Sequence, residues 1–134
     1  MFDKYMIYDA ECKNVVKDGK VTGFQVGVRV TYYRGIIIAL IKNFEVTVDG
    51  VKYTKDDMTF TFNGNHTYTF DEMFGVTDER WGFGDVAVIT VNKDGGLTPG
   101  EHEIEVTEEL RVSYGLMENY FPNKAHWKKK INIA

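Results

Sequence analysis

A single cysteine, Cys12, stands in a chain of 134 residues. That scarcity excludes an internal disulfide and a cysteine-rich zinc site, and a lone thiol suits a reducing compartment. Basic residues are not in excess either. The formal net charge of −4 lacks the footprint that nucleic-acid binding leaves on a domain. No apolar run approaches the ~18 residues that span a bilayer, and no apolar signal region follows Met1-Phe2-Asp3-Lys4, so a soluble cytoplasmic protein with no membrane partner is expected. Helix signals are also few. Residues Asp71 to Val76 offer one turn after Thr69, and Gly75 would end it.

The chemistry of common active sites is missing as well. His66, His102 and His126 lie far apart in sequence, without the close spacing that marks a metal site, so no metal is expected in this chain. Cys12 has no base near it in sequence and reads as a small apolar residue. The carboxylate pairs Asp56-Asp57, Asp71-Glu72, Asp78-Glu79 and Glu108-Glu109 are sequence neighbours. On a strand such neighbours point to opposite faces, whereas glycoside hydrolysis needs two carboxyls facing across a cleft. No catalytic residue is therefore assigned. Glu108 alone falls on an apolar side of the alternation, where it needs a partner such as Arg29 or Arg111.

What the chain does have is alternation of period two. Phe24, Val26, Val28, Val30 and Tyr32 alternate with polar or small residues, and Ile104, Val106, Leu110, Val112 and Tyr114 repeat the pattern. Each set describes a strand with one buried face. The two longest strands are expected near Val21 to Tyr33 and Glu103 to Tyr114. Shorter strands are expected at 44–48, 51–54, 58–62, 67–70, 86–91 and 127–133. The isoleucine run Ile36 to Ile41 reads as a strand buried on both faces. Asp49-Gly50 and Asp18-Gly19 are hairpin signals, because a type I′ turn needs positive φ at both central positions. Turn signals every 8 to 14 residues, with no repeat or linker, predict an all-β fold, an antiparallel sandwich or barrel, in one domain over residues 1–134. The acidic stretch at Glu101 to Glu109 and the lysines at 124 and 128–130 read as solvated strand faces and a blunted edge.

Aromatics supply 14% of the residues, more than a compact core needs, and several sit with arginine in expected loops. Tyr33 and Arg34 in Tyr32-Tyr33-Arg34-Gly35, Trp81 in Arg80-Trp81-Gly82-Phe83-Gly84, and Tyr120 and Phe121 in the apolar stretch Gly115 to Lys124 are candidates for a partner face. The competing reading places Trp81 and Tyr32 in the core, with the arginines tying loops to carbonyls.

Three blocks carry a resemblance: Tyr32 to Gly35, Arg80 to Gly84, and Gly95-Gly96-Leu97-Thr98-Pro99-Gly100-Glu101-His102 with the strand after it. In this order and spacing the chain resembles the small β subunit of bacterial C-glycoside deglycosidases, from Met1 through Asn14-Val15-Val16 to about Tyr114. The resemblance implies a β-sandwich packed against a larger TIM-barrel α subunit that holds the base and a divalent metal, typically manganese. It implies a 3-oxo-C-glucoside substrate on a flavonoid-type aglycone. Loss of the C2 proton would let the aglycone leave C1 by elimination, a carbon–carbon lyase reaction for which this chain supplies no catalytic group. It also favours the partner-face reading. Two other classes stay open on the residues alone. A carbohydrate-binding β-sandwich module would show aromatic rings in a groove, and a small cupin-like metalloenzyme would gather histidines and carboxylates inside a barrel.

Overall fold

The period-two alternation becomes two antiparallel sheets laid face to face. The computed structural model describes residues 5–31, 35–62, 66–112 and 121–133, with backbone alone for 74, 111–112 and 121–123. The described residues form strands β1 (Ile7–Lys17), β2 (Lys20–Arg29), β3 (Ile36–Ile37), β4 (Ile41–Val48), β5 (Val51–Tyr53), β6 (Met58–Phe62), β7 (His66–Thr69), β8 (Arg80–Trp81), β9 (Val86–Asn92), β10 (Gly100–Val112) and β11 (Phe121–Ile133). One sheet runs β1-β2-β9-β6-β7, the facing sheet runs β11-β10-β4-β5, and β3 pairs with β8 in a small third one. Both hairpin signals operate as expected. Asp18 and Gly19 (φ 52° and 76°) turn β1 into β2, and Asp49 and Gly50 (φ 49° and 85°) turn β4 into β5.

The alternation fills the space between the sheets. Phe24, Val26 and Val28 of β2, Phe60 and Phe62 of β6, and Ile89 and Val91 of β9 meet Phe44, Val46 and Val48 of β4 and Ile104, Val106 and Leu110 of β10, all at most 3% exposed. Complete burial of each such side chain contributes about 1.5–3 kcal/mol. Aromatic rings join the layers. Phe44 stacks on Phe60 with centroids 5.8 Å apart, and Trp81 of the small sheet meets Phe60 at 5.4 Å and Phe44 at 6.1 Å. Phe70 lies 6.1 Å from Phe44 and 6.3 Å from Phe60. The Trp81 indole N–H donates to the Asp85 carbonyl at 2.8 Å, so its polar atom is satisfied inside the core.

The expected strand boundaries shift in three places. β2 ends at Arg29 instead of reaching Tyr33, because the Thr31 N–H and hydroxyl donate to a Glu108 carboxylate oxygen on the facing sheet, at 3.0 and 2.8 Å. Thr31 is thus a partner of this wholly buried carboxylate, and the Arg111 side chain lies outside the described residues. The longest strands are β10 and β11, 13 residues each, because β11 stays paired with β10 from Ile133 to Phe121. Residues 121–124, expected outside the strand pattern, are therefore part of it. The isoleucine run is not one strand. Ile38–Leu40 forms a 3₁₀ turn between β3 and β4, with Ile38 N–H donating to the Glu79 carbonyl and Ala39 N–H to that of Val76. Ile36, Ile38 and Ile41 are buried all the same. The single turn expected after Thr69 is a 3₁₀ turn over Glu72–Gly75. Its cap is reciprocal: Thr69 N–H donates to the Glu72 carboxylate at 2.8 Å, and Glu72 N–H to the Thr69 hydroxyl at 3.2 Å.

The acidic and lysine-rich segments form one feature. β10 and β11 pair so that Glu103, Glu105 and Glu109 stand opposite Lys130, Lys128 and Lys124. Lys128 reaches Glu103 at 3.6 Å and Lys130 reaches Glu101 at 3.9 Å. Exposed pairs of this kind contribute at most about 1 kcal/mol each. Their clearer effect is to place charge on β11, the sheet's edge strand, where an unprotected ladder would recruit other chains.

The block Gly95 to His102 carries the chain from β9 into β10, across to the other sheet. Gly96 (φ 60°) passes so close to β1 and β2 that a Cβ there would lie 2.5 Å from the Asn14 side-chain oxygen and 2.8 Å from the Gly23 carbonyl. Asn14 then holds the next residue by both polar atoms, accepting from Leu97 N–H and donating to its carbonyl, each at 2.8 Å. His102, 11% exposed, faces two acceptors. Nδ1 lies 2.5 Å from the Asp49 carboxylate and Nε2 lies 2.7 Å from the Thr98 carbonyl. Asp49 also accepts from Glu103 N–H at 2.9 Å, so the β4–β5 turn is bound to the start of β10.

Two outcomes follow from this packing. The hydrogen bond to Asp49, and after it that to the Thr98 carbonyl, raises the His102 pKa above its ordinary 6.5. The imidazolium's stabilisation is then fully present below pH 6.5 and lost as pH rises through the higher folded value. Asp49 is held below its ordinary 3.8 by the Glu103 amide first and His102 second, so its contribution is lost only as pH falls through that lower value. In thermal melts, His102→Ala should lower the midpoint clearly at pH 6 and much less at pH 9; equal losses at both would show that the pair is not charged. Trp81→Ala should destabilise the domain by about 3–5 kcal/mol, measured by denaturant titration; a variant as stable as the parent would remove Trp81 from the core cluster.

Candidate functional site

The crossover and both hairpin turns occupy one end of the sandwich. The other end gathers the segments that leave β2, connect β3 to β4, and run through β8 into β9. Pairing of Ile36 with Trp81 and of Ile37 with Arg80 brings Gly35 against the block Arg80 to Gly84. Gly35 (φ 70°) makes the approach possible, since a Cβ there would lie 2.7 Å from the Trp81 carbonyl oxygen and 3.1 Å from Gly82 Cα. A turn closed by Asp85 N–H to the Gly82 carbonyl at 3.0 Å then turns Phe83 outward, 47% exposed.

Beside this turn, Tyr5, Arg29, Val30, Phe83 and Gly84 line a groove of about 470 Å³. Tyr5 is 51% exposed. Arg29 is oriented from both sides: its guanidinium lies 4.5 Å from the centre of the Tyr8 ring and donates to the Tyr5 carbonyl at 3.4 Å. Its backbone N–H donates to the Met6 carbonyl at 2.8 Å, which fastens the approach to β1 beside the end of β2. Aromatic walls with one arginine are the composition that dominates protein contacts.

A second cleft, about 450 Å³, lies at the β4–β5 side over Phe44 and Phe70. Its lysines are already neutralised. Lys42 pairs with Glu109 at 3.2 Å, Lys52 with Glu45 at 3.3 Å, and Lys55 with Asp71 at 2.7 Å, which makes it a poor recogniser of further charge.

The titratable groups do not converge. His66 pairs through Nδ1 with Glu79, whose other oxygen accepts from the Tyr68 hydroxyl at 2.9 Å, and that bond to Glu79 is the main cause raising the Tyr68 pKa. His102 pairs with Asp49 at the crossover end, and His126 pairs with Glu105 on β10. Among the described residues no three His, Cys, Asp or Glu side chains are placed to hold a metal ion. Cys12 is buried, and burial first of all pushes its thiol up to about 11, which keeps it protonated and unreactive.

Of the residues expected at a partner face, Trp81 is placed otherwise. It is 0% exposed and serves the core, because its ring completes the aromatic cluster across the sheets. Tyr33, Arg34 and Tyr120 lie outside the described residues. Phe121 opens β11 opposite Val112, with its side chain outside the description. The groove residues Tyr5, Arg29 and Phe83 were not singled out from sequence. Phe83 carried the clearest signal, an apolar ring between two glycines, where a bend leaves little to bury it.

The family model for the C-glycoside deglycosidase beta subunit matches residues 2–114. A C-glycoside deglycosidase beta subunit from Eubacterium cellulosolvens is 36% identical over 104 residues, which cover 77% of this chain and 70% of that protein. One from Arthrobacter globiformis is 32% identical over 100 residues, 75% of this chain and 73% of that protein, and one from Microbacterium trichothecenolyticum is 33% identical over 89 residues, 66% of each. The matched region holds all three sequence blocks, the crossover and the groove, and the chain belongs to the C-glycoside deglycosidase beta subunit family.

Proposed function

We propose that this chain is the non-catalytic subunit of a cytoplasmic heteromeric lyase that cleaves the carbon–carbon bond of 3-oxo-C-glucosides with flavonoid-type aglycones. A larger TIM-barrel α subunit carries the base and the divalent metal, manganese. Removal of the C2 proton beside the 3-keto group places the electron pair so that the aglycone leaves from C1 by β-elimination. This chain packs against the α subunit and supports that site from outside it.

Family membership carries the reading, and the chemistry of the chain agrees with it. Its histidines are committed to three separate carboxylates, and its thiol is held neutral. Two of its exposed aromatic rings, Tyr5 and Phe83, flank Arg29 at one end, and a third, Trp127, stands on β11. Buried area in such a complex should exceed ~1,000 Å², with Tyr33, Arg34, Tyr120 and Phe121 as further contact residues.

The direct test is reconstitution. The chain purified alone should leave 3-oxo-C-glucosides intact and hold no stoichiometric manganese, and the complex with its α subunit should release the free aglycone. Turnover by the isolated chain, or stoichiometric manganese or zinc in its elemental analysis, would overturn the assignment.

A further inference from the structure

Of the chain's four arginines, Arg29, Arg80 and Arg111 stand on described backbone at the groove end. Arg29 closes β2, Arg80 opens β8, and Arg111 lies at the end of β10 paired with Pro122; Arg34 falls in sequence between Thr31 and Gly35. Seven of the lysines are matched within the chain. Lys20, Lys42, Lys52, Lys55, Lys128, Lys129 and Lys130 each reach a carboxylate of this same chain. Among the described residues no carboxylate forms an ion pair with Arg29. Its guanidinium has one long bond to a carbonyl and the face of Tyr8.

The difference matters chemically. A guanidinium is planar, weakly hydrated and shaped for two parallel bonds to a carboxylate, and it can stack on rings while doing so. Tyr8 and the Tyr5 carbonyl hold it in place beforehand, which removes part of the ordering cost of a later contact. The surroundings are apolar: Val30, 1% exposed, floors the groove and Tyr5 and Phe83 flank it. At about 470 Å³ the groove falls in the range of about 300–1,000 Å³ that encloses a small group or a few side chains.

We propose that this groove receives an acidic segment of the α subunit, in which an Asp or Glu carboxylate pairs with Arg29 while neighbouring apolar side chains pack on Tyr5 and Phe83. The proposal rests on the reading of the chain as a subunit of a heteromer. It assigns the contact to a charge that no carboxylate of the described residues pairs with, and thereby supplies a described anchor in place of the buried Trp81.

The test is to titrate the α subunit with parent, Arg29→Ala, Arg29→Lys and Phe83→Ser chains by calorimetry at low and high salt, after confirming each fold by circular dichroism. Arg29→Ala should weaken association by more than about tenfold and flatten its salt dependence. Arg29→Lys should recover only part, because a lysine cannot make the bidentate pair. Phe83→Ser lies on an exposed bend and should weaken binding with the fold intact, so the groove remains testable if the Arg29 variants unfold. Folded variants that bind with parental affinity and salt dependence would overturn the groove and leave the subunit reading standing. Failure of the parent chain to bind the α subunit would remove both. A C-glycoside alone that shifts the amide resonances of Arg29 and Phe83 in the isolated chain would also overturn the proposal, giving the groove to a small ligand.

Discussion

The aromatic contact of Trp81 with Phe44 and Phe60 is the constraint on which the rest of the molecule depends. Phe44 belongs to one sheet, Phe60 to the other and Trp81 to the two-stranded piece at the end, so one cluster fixes the separation of the layers and the position of the small sheet together. Edge-on and stacked arrangements add roughly 0.5–1.5 kcal/mol per ring pair beyond the burial itself. They also have preferred geometry, which simple apolar burial lacks. Because β8 is fixed by its tryptophan, the following Gly82-Phe83-Gly84 bend is fixed too, and an exposed ring is held beside Arg29 by a buried one two residues earlier.

The two ends of the sandwich are built for different work. At the crossover end the polar groups meet each other: Asn14 with Leu97, Asp49 with His102 and Glu103, and Gly96 against β1 and β2 with no room for a side chain. That end is closed, and its hydrogen bonds are spent on holding two sheets in register. At the groove end, among the described residues, the buried carboxylate of Glu108 accepts from Thr31 across the sheets. That contact ends β2 at Arg29. The remaining surface there carries aromatic rings and a guanidinium turned outward, which suits a face completed by another chain.

The block most distinctive in the sequence, Gly95 to His102, is the structural one. Gly96 in it is required by a close crossing, and its histidine holds a turn. The three blocks that carry the resemblance thus divide between the two ends: Gly95 to His102 holds the crossover, whereas Arg80 to Gly84 packs against Gly35 beside the groove.

The sequence by itself determined the sandwich, its inward residues and its hairpins, because side-chain alternation and positive-φ turn pairs are local properties that need no knowledge of the partner strand. It also marked Glu108 as buried, since a polar residue on an apolar face stands out within one strand. It did not identify Thr31 as the partner of Glu108, the burial of Trp81, or the division of the isoleucine run into strand and turn. These depend on which segments meet across the sheets, and such encounters between residues distant in sequence leave no periodic trace. The same reason explains Arg29: its outward position was implicit in the alternation, but only the tertiary structure decided that it should stand between Tyr5 and Phe83 with no carboxylate of the described chain to neutralise it.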